Sequence, residues 1–139
     1  MPASTTAIAR SKPSAPIRHL HQAGLLVGRC LDYGCGRGMD ADTYGMEGYD
    51  PTWRPREPSG RFDTITCTYV LNVVDEAAQE AILAAVRGLL APGGAAYISV
   101  RRDLPREGMQ GRGCWQRYVT LDAPTLSAGK GRWATYWLT

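Results

Sequence analysis

The sequence predicts an α/β fold built on an open sheet, and three observations carry that expectation. Residues 29–33 read as a short buried strand that runs directly into Gly34-Cys35-Gly36-Arg37-Gly38, a tight glycine turn, with a helix start due at Met39 or Asp40. Ala78, Ile82, Ala85, Val86, Leu89 and Leu90 recur at helical spacing between two strand-like runs, residues 61–68 and 95–100. Residues 115–121 and 132–138 are aromatic and β-branched, and are expected to pair with each other as antiparallel strands closing one side of the sheet.

Taken in chain order, residues 1–13 are rich in Ala, Ser and Thr, lack a hydrophobic period and read as a flexible arm; residues 14–139 are expected to form a single domain. Ser14 is placed to cap a first helix, Pro16 fits its first turn, and Gly24 or Gly28 ends it. A short helix, 39–44, follows the glycine turn and leads to a second strand, 47–50. Pro51, Pro55 and Pro58 then exclude helix and central strand from the next segment. After the strand at 61–68 comes a turn at 69–74, and Asp75 opens the long helix. Ala91-Pro92-Gly93-Gly94 is a helix-stop signal, after which residues 95–100, nearly all apolar, suit a central strand. A glycine-rich basic loop over 104–114 precedes the last two strands.

Composition narrows the class. A chain of 139 residues buries one core and leaves no room for a separate substrate domain. The most apolar run, around 77–90, is broken by Gln79, Glu80 and Arg87, so no membrane span is expected, and the first residues do not read as a signal peptide. Cys30, Cys35, Cys67 and Cys114 are far apart and lack C-x-x-C spacing, which argues against zinc and against a disulfide framework and suits reduced thiols in the cytoplasm. Cys35, inside the glycine turn, reads as a packing residue rather than a nucleophile. His19 and His21 are two apart and point to different helix faces, so no metal site is expected. The net charge of +3 hides a segregation: residues 1–30 hold four basic side chains and no acid, 31–100 hold five against ten acids, and 101–139 hold seven against three. Basic ends around an acidic middle suit an anionic substrate or nucleic acid, or else are solvated surface.

The glycine turn is where chemistry is expected. Its G-x-G-x-G spacing differs from the G-x-G-x-x-G of dinucleotide sites, whose third glycine serves helix packing beside a pyrophosphate. Gly34, Gly36 and Gly38 let main-chain N–H groups face a ligand, while Asp32 and Asp40 beside the turn favour a cationic or zwitterionic one. Asp50, eighteen residues beyond Asp32, is either the carboxylate that accepts from two ribose hydroxyls or a turn-forming Asp before Pro51. In an open sheet these groups meet over the carboxyl ends of the strands, with Thr68, Tyr69, Leu71 and Arg101.

The string Asp32-Tyr33-Gly34-Cys35-Gly36-Arg37-Gly38 resembles motif I of the class I S-adenosylmethionine-dependent methyltransferases, whose sheet is Rossmann-like. With Arg10–Arg18, Gly48-Tyr49-Asp50-Pro51 and Tyr69-Val70-Leu71-Asn72-Val73-Val74 in the same order, residues 8–102 are similar to the DNA phosphorothioation-associated methyltransferases. That resemblance implies S-adenosylmethionine as cofactor. It implies that Asp32 and the glycine turn (Gly34, Cys35, Gly36, Gly38) hold its methionine end, Asp50 its ribose, and the backbone around Cys67 and Thr68 the region of the sulfonium; Tyr33 and Leu71 are expected among the cofactor-binding residues, and Trp53 over the adenine that the shortened arm leaves unbordered. The twelve residues from Asp50 to Arg61 cannot hold the helix, third strand and helix of the common plan, so the sheet is expected to be truncated between its second and fourth strands. Tyr69 and Asn72 stand where acceptor-orienting, catalytic groups occur; Asn72 also suits a polar helix start. Arg101, Arg102, Arg112 and Gln116 are expected to form the acceptor side, toward nucleic acid or a small anionic molecule. A binding module that keeps the cofactor pocket without transfer is the alternative, and a nicotinamide-dependent oxidoreductase the weakest reading. The exposed sheet edge left by the missing arm makes a homodimer an expectation.

Overall fold

A computed structural model describes residues 11–104, 109–110 and 114–139. Six strands form one sheet: β1 (Cys30–Tyr33), β2 (Glu47–Tyr49), β3 (Phe62–Thr68), β4 (Leu90–Arg101), β7 (Thr125–Ala128) and β8 (Trp133–Leu138). Their order is β2-β1-β3-β4-β8-β7, with β5 (Met109–Gln110) and β6 (Cys114–Trp115) as a separate antiparallel pair. β2, β1, β3 and β4 run parallel, in the registers Leu31 to Glu47, Leu31 to Ile65 and Ile65 to Ala96. β8 runs antiparallel to β4, and β7 antiparallel to β8. No strand lies beyond β2 among the described residues, so the sheet is truncated on that side, as the short interval between β2 and β3 predicts.

Helices cover both faces. α3 (Glu76–Leu89) starts at Asp75, whose carboxylate accepts from the Ala78 amide at 2.8 Å, and lays Leu83 and Val86 on Leu31, Ile65, Cys67, Ile98 and Val100. α1 (Ala15–Gln22) and α2 (Met39–Tyr44) cover the other face, where Ile17, Leu20, Ala41, Met46 and Tyr97 pack together. Alternation along β4 makes this possible: Ala96, Ile98 and Val100 point to α3, and Tyr97 points the other way. α1 ends where Gly24 takes φ +74°, with Leu25 and Gly24 amides returning to the carbonyls of Leu20 and His21, a Schellman stop.

Three expectations are corrected here. Ser14 occupies the N-cap of α1, but its hydroxyl and amide both donate to the Asp40 carboxylate at 2.8 Å, tying α1 to α2 instead of capping its own helix. The strand expected over 95–100 starts earlier, at Leu90. α3 stops at Leu89, Leu90 is already extended and paired with Phe62, and residues 91–94 arch out opposite Asp63 alone before Ala95 rejoins the register at Thr64. The partner of β8 is β7, not residues 115–121. Lys130 (φ +52°) and Gly131 (φ +78°) are the two central residues of a turn closed by the Arg132 amide, which donates to the Gly129 carbonyl at 2.9 Å, so the strand just before it must fold back on β8. Residues 1–10 of the expected arm, and most of the basic loop at 104–114, lie outside the described residues.

Lys130 is the one lysine asked to hold a left-handed conformation, which a side chain tolerates poorly unless it is Asn, Asp or Gly. Lys130→Asn is expected to raise stability by about 0.5 kcal/mol in urea denaturation, and Lys130→Val to lower it by about 1 kcal/mol.

Candidate functional site at the carboxyl ends of the parallel strands

The glycine turn leaves β1 and is held from the side by β2. The amides of Gly34 and Cys35 both donate to the Tyr49 carbonyl, at 2.7 and 2.9 Å, and the Gly38 amide donates to the Cys35 carbonyl at 3.0 Å. Gly36 N–H donates to Asp50 Oδ2 at 3.1 Å, while Asp50 Oδ1 accepts from Thr52 and Trp53 amides at 2.9 and 3.1 Å. The expectation that the loop amides face a ligand is therefore corrected: the amides of Gly34, Cys35, Gly36 and Gly38 are bonded within the protein. Gly34 is fixed by space as well as by φ +83°, since a Cβ there would collide with Val70 Cγ2. Trp53 is 44% exposed, with the Arg37 guanidinium 4.5 Å over its ring.

Beneath the loop lies a buried acid. Asp32 is 3% exposed and accepts one hydrogen bond from Thr66 Oγ1 at 2.9 Å. Burial first, and then the neighbouring Asp40 carboxylate, push its pKa up to about 7, so it is half protonated near neutral pH. The same burial pushes the Cys35 thiol up to about 12 and the fully buried Cys67 thiol higher still, which removes both as nucleophiles and agrees with the packing role expected of Cys35. Tyr33 and Tyr49 pair their rings at 5.0 Å beside the loop.

Where β3 ends, the chain turns sharply. The Thr68 hydroxyl oxygen is buried without a hydrogen-bond partner among the described residues. Tyr69 has φ +61°, a left-handed conformation that an aromatic residue adopts only when its surroundings enforce it, and its amide is held by the Ser99 carbonyl at 2.8 Å. Leu71 is expected beside a cofactor, yet it is fully buried in the core under α3, and that expectation is corrected. Asn72 is corrected likewise. Its side chain is 0% exposed, its Nδ2 donates to the Arg117 carbonyl and its Oδ1 accepts from the Arg101 amide, each at 2.8 Å, so it fixes its neighbours and cannot touch an acceptor.

The acceptor side also differs from expectation. Arg101 stands at the end of β4, half-buried, with Nε on Asp103 at 2.9 Å and Nη1 on Gln116 at 3.1 Å. Arg102 turns inward: it donates to the Val119 carbonyl and the Tyr136 hydroxyl and lies against the rings of Tyr118 and Tyr136, so it does not line the acceptor side. Arg117 donates to the Val74 and Leu71 carbonyls and to Gln79, closing the turn before α3. Arg112 lies outside the described residues. His19 packs edge-on to Trp133 and His21 stacks on Tyr44, and no metal-holding cluster occurs among the described residues. A groove of about 500 Å³ between Arg61, Arg87, Gly93 and Thr139 opens at the opposite end of the strands and contains none of the predicted site residues.

The family model that describes a methyltransferase domain matches residues 8–137. The chain belongs to the methyltransferase-domain family. This match removes the nicotinamide reading. Among solved structures, the glycopeptide N-methyltransferase MtfA is 16% identical with a TM-score of 0.65, covering 91% of this chain and 95% of that one. A hypothetical protein of Thermus thermophilus is 21% identical with a TM-score of 0.58, covering 95% and 89%. MtfA complexed with sinefungin aligns at 19% identity and a TM-score of 0.52 over 68% of this chain and 52% of that one. These likenesses are of fold, and the chain spans about half the length of the first two matched structures, 50% and 52%. No curated protein matches.

Within the methyltransferase domain, the sequence-predicted residues Asp32, Tyr33, Gly34, Cys35, Gly36, Gly38, Asp50, Thr68, Tyr69 and Arg101 gather at the carboxyl ends of β1 to β4, with Trp53 on the adjoining turn. Sequence reading missed Thr66, whose hydroxyl partners Asp32, and Arg54, which ties the turn after β2 to α2. Alternation along β3 puts Thr66 on the Asp32 side; the role of Arg54 left no local signal. Asn72→Ala is expected to cost about 2–4 kcal/mol in chemical denaturation, because it strands the buried Arg101 amide and Arg117 carbonyl.

Proposed function

We propose that this domain transfers a methyl group from S-adenosylmethionine to a small-molecule acceptor. The observation that carries the reading is the buried Asp32 at the glycine turn, with the Thr68 hydroxyl, unpartnered among the described residues, and the strained Tyr69 at the same end of the sheet. An acid held half-protonated by burial suits a ligand that brings a positive charge of its own, and an orphaned buried hydroxyl suits a ligand that completes its hydrogen bonding. The solved structure of MtfA with sinefungin supports the same ligand chemistry on this fold. These residues fit adenosylmethionine: Asp32 and the glycine turn at the methionine end, Asp50 at the ribose, Trp53 against the purine. Asp50 Oδ2 accepts one bond from Gly36 and retains acceptor capacity for a hydroxyl.

When bound, the cofactor supplies a methyl group already activated by its sulfonium. Asp32, the glycine turn and Asp50 would hold it so that the methyl group could pass to an acceptor's lone pair, the sulfur keeping the electron pair of the broken bond. What the chain must do is align the acceptor and exclude water. Tyr69 is placed for this at the end of β3, tied through its amide to β4 two residues before Arg101, and Asn72 acts through Arg101 and Arg117 as a positioning residue. The finer resemblance to phosphorothioation-associated methyltransferases favours nucleic acid, but Arg101 is neutralised by Asp103, and Arg102 and Arg117 are engaged inside the protein. A phosphate backbone needs several free cations, whereas the one arginine that the described residues leave on this side, half-buried and paired, suits with Gln116 a small polar acceptor. A cofactor-binding module without transfer is a second reading, favoured by the complete engagement of Asn72.

Incubating the protein with methyl-tritiated adenosylmethionine and separated metabolite, nucleic acid and protein fractions tests the reading. Label is expected in the metabolite fraction; cofactor binding without label in any fraction supports the module instead. Binding should also depend on pH with a defined sign. A cationic ligand favours ionised Asp32, so affinity is expected to rise by up to about tenfold per pH unit from pH 6 toward 7 and to level above it. Asp32→Asn is expected to flatten that slope and weaken binding at pH 8 by about tenfold or more, read by titration calorimetry with S-adenosylmethionine.

A further inference from the structure

We infer that Arg54 is a positioning residue for the nucleoside end of the site: its guanidinium locks the turn over residues 50–54 onto the glycine loop, supplying the wall that the missing strand does not. This rests on the adenosylmethionine reading above. The turn is closed by reciprocal backbone bonds between Asp50 and Arg54, both 3.0 Å. From there the guanidinium reaches across to α2, donating through Nη1 and Nη2 to the two oxygens of Asp42 at 2.9 and 2.7 Å, and through Nη2 to the Arg37 carbonyl at 3.2 Å. It fills the space over Gly38, where a Cβ would collide with Nη2. Gly38 therefore serves the arginine as much as the backbone.

The tie continues to the ring expected against the purine. Arg37, whose carbonyl Arg54 holds, places its own guanidinium 4.5 Å over Trp53, and the Trp53 amide is held by Asp50. Loop and turn are thus joined at three points: Gly36 to Asp50, Arg54 to Arg37 and Asp42, and Arg37 to Trp53. The Arg54–Asp42 pair is itself a poor source of stability, with side chains 33% and 66% exposed. Its geometry is what two neighbouring backbones lack without it. A planar fork fixes both carboxylate oxygens and a carbonyl together, which a lysine ammonium cannot.

Titration calorimetry with S-adenosylhomocysteine on the full chain tests the assignment, with circular dichroism and melting to show that each variant is folded. Arg54→Ala is expected to weaken binding by about tenfold, Arg54→Lys nearly as much, and Asp42→Asn by about threefold, with melting temperatures within a few degrees of wild type. In a Trp53→Ala background, Arg54→Ala should add less than about twofold, because the wall it positions is gone. Wild-type binding by Arg54→Ala, full rescue by lysine, or losses that multiply in the double variant would overturn the inference. Absence of binding by the wild type would overturn the adenosylmethionine reading and this inference with it, an outcome told apart because no variant is needed to see it.

Discussion

One carboxylate organises the half of this domain around the glycine turn. Asp50 gathers the amides of Gly36, Thr52 and Trp53, and so joins the turn after β1 to the turn after β2. The need for such a joint follows from the short sheet. β2 has only three residues and no outer neighbour among the described strands, so backbone pairing holds it from one side alone. The Tyr49 carbonyl, next to Asp50 in the chain, receives two further loop amides. Remove the carboxylate and three amides lose their acceptor together, each at a cost of about 1–3 kcal/mol where water cannot replace it.

The turn after β3 follows the same logic with a different side chain. Asn72 sits under the turn after β3 and joins it to the end of β4 and to the segment at Arg117. Arg117 returns the tie by donating to carbonyls of that turn and to Gln79 on α3. Chain segments that leave a sheet at its carboxyl edge lose their ladder partners, and a buried polar side chain is the compact way to replace them. That is why Asn72, which looks available for substrate in the sequence, is engaged in the structure.

The difference between what the sequence discloses and what it hides has this physical origin. Strands 30–33, 47–49 and 62–68, the glycine turn and α3 are legible because period, capping Asp75 and glycine punctuation act locally. The truncation is legible because twelve residues with three prolines cannot hold two helices and a strand. The hairpin partner of β8 escapes local reading because Val119, in the segment expected to be that partner, is instead buried in the core, while the strand that does pair contains the exposed, weakly patterned Leu126. Asp50, Asn72, Arg102 and Arg54 are visible as residue types only. Whether a polar side chain meets a ligand or a backbone depends on contacts dozens of positions away, such as Asn72 with Arg117 and Arg102 with Tyr136.

Asp32 is the place where the fold and the site pull against each other. Its carboxyl titrates at about 7 in the folded chain against 3.8 when exposed, so between those values the folded state holds the proton more tightly than the unfolded one. Stability is therefore highest below the lower value, falls as pH rises through that window and is flat above about 7. A core residue chosen for stability alone would not be an aspartate facing Asp40, with Asp50 adding to the same field and only Arg54 and the Thr66 hydroxyl opposing it. The hydroxyl is too weak a partner to hold the charge, and Arg54 is committed to Asp42. The deficit of positive charge under the glycine turn is thus a built feature of the domain, one that the proposed cationic ligand would offset.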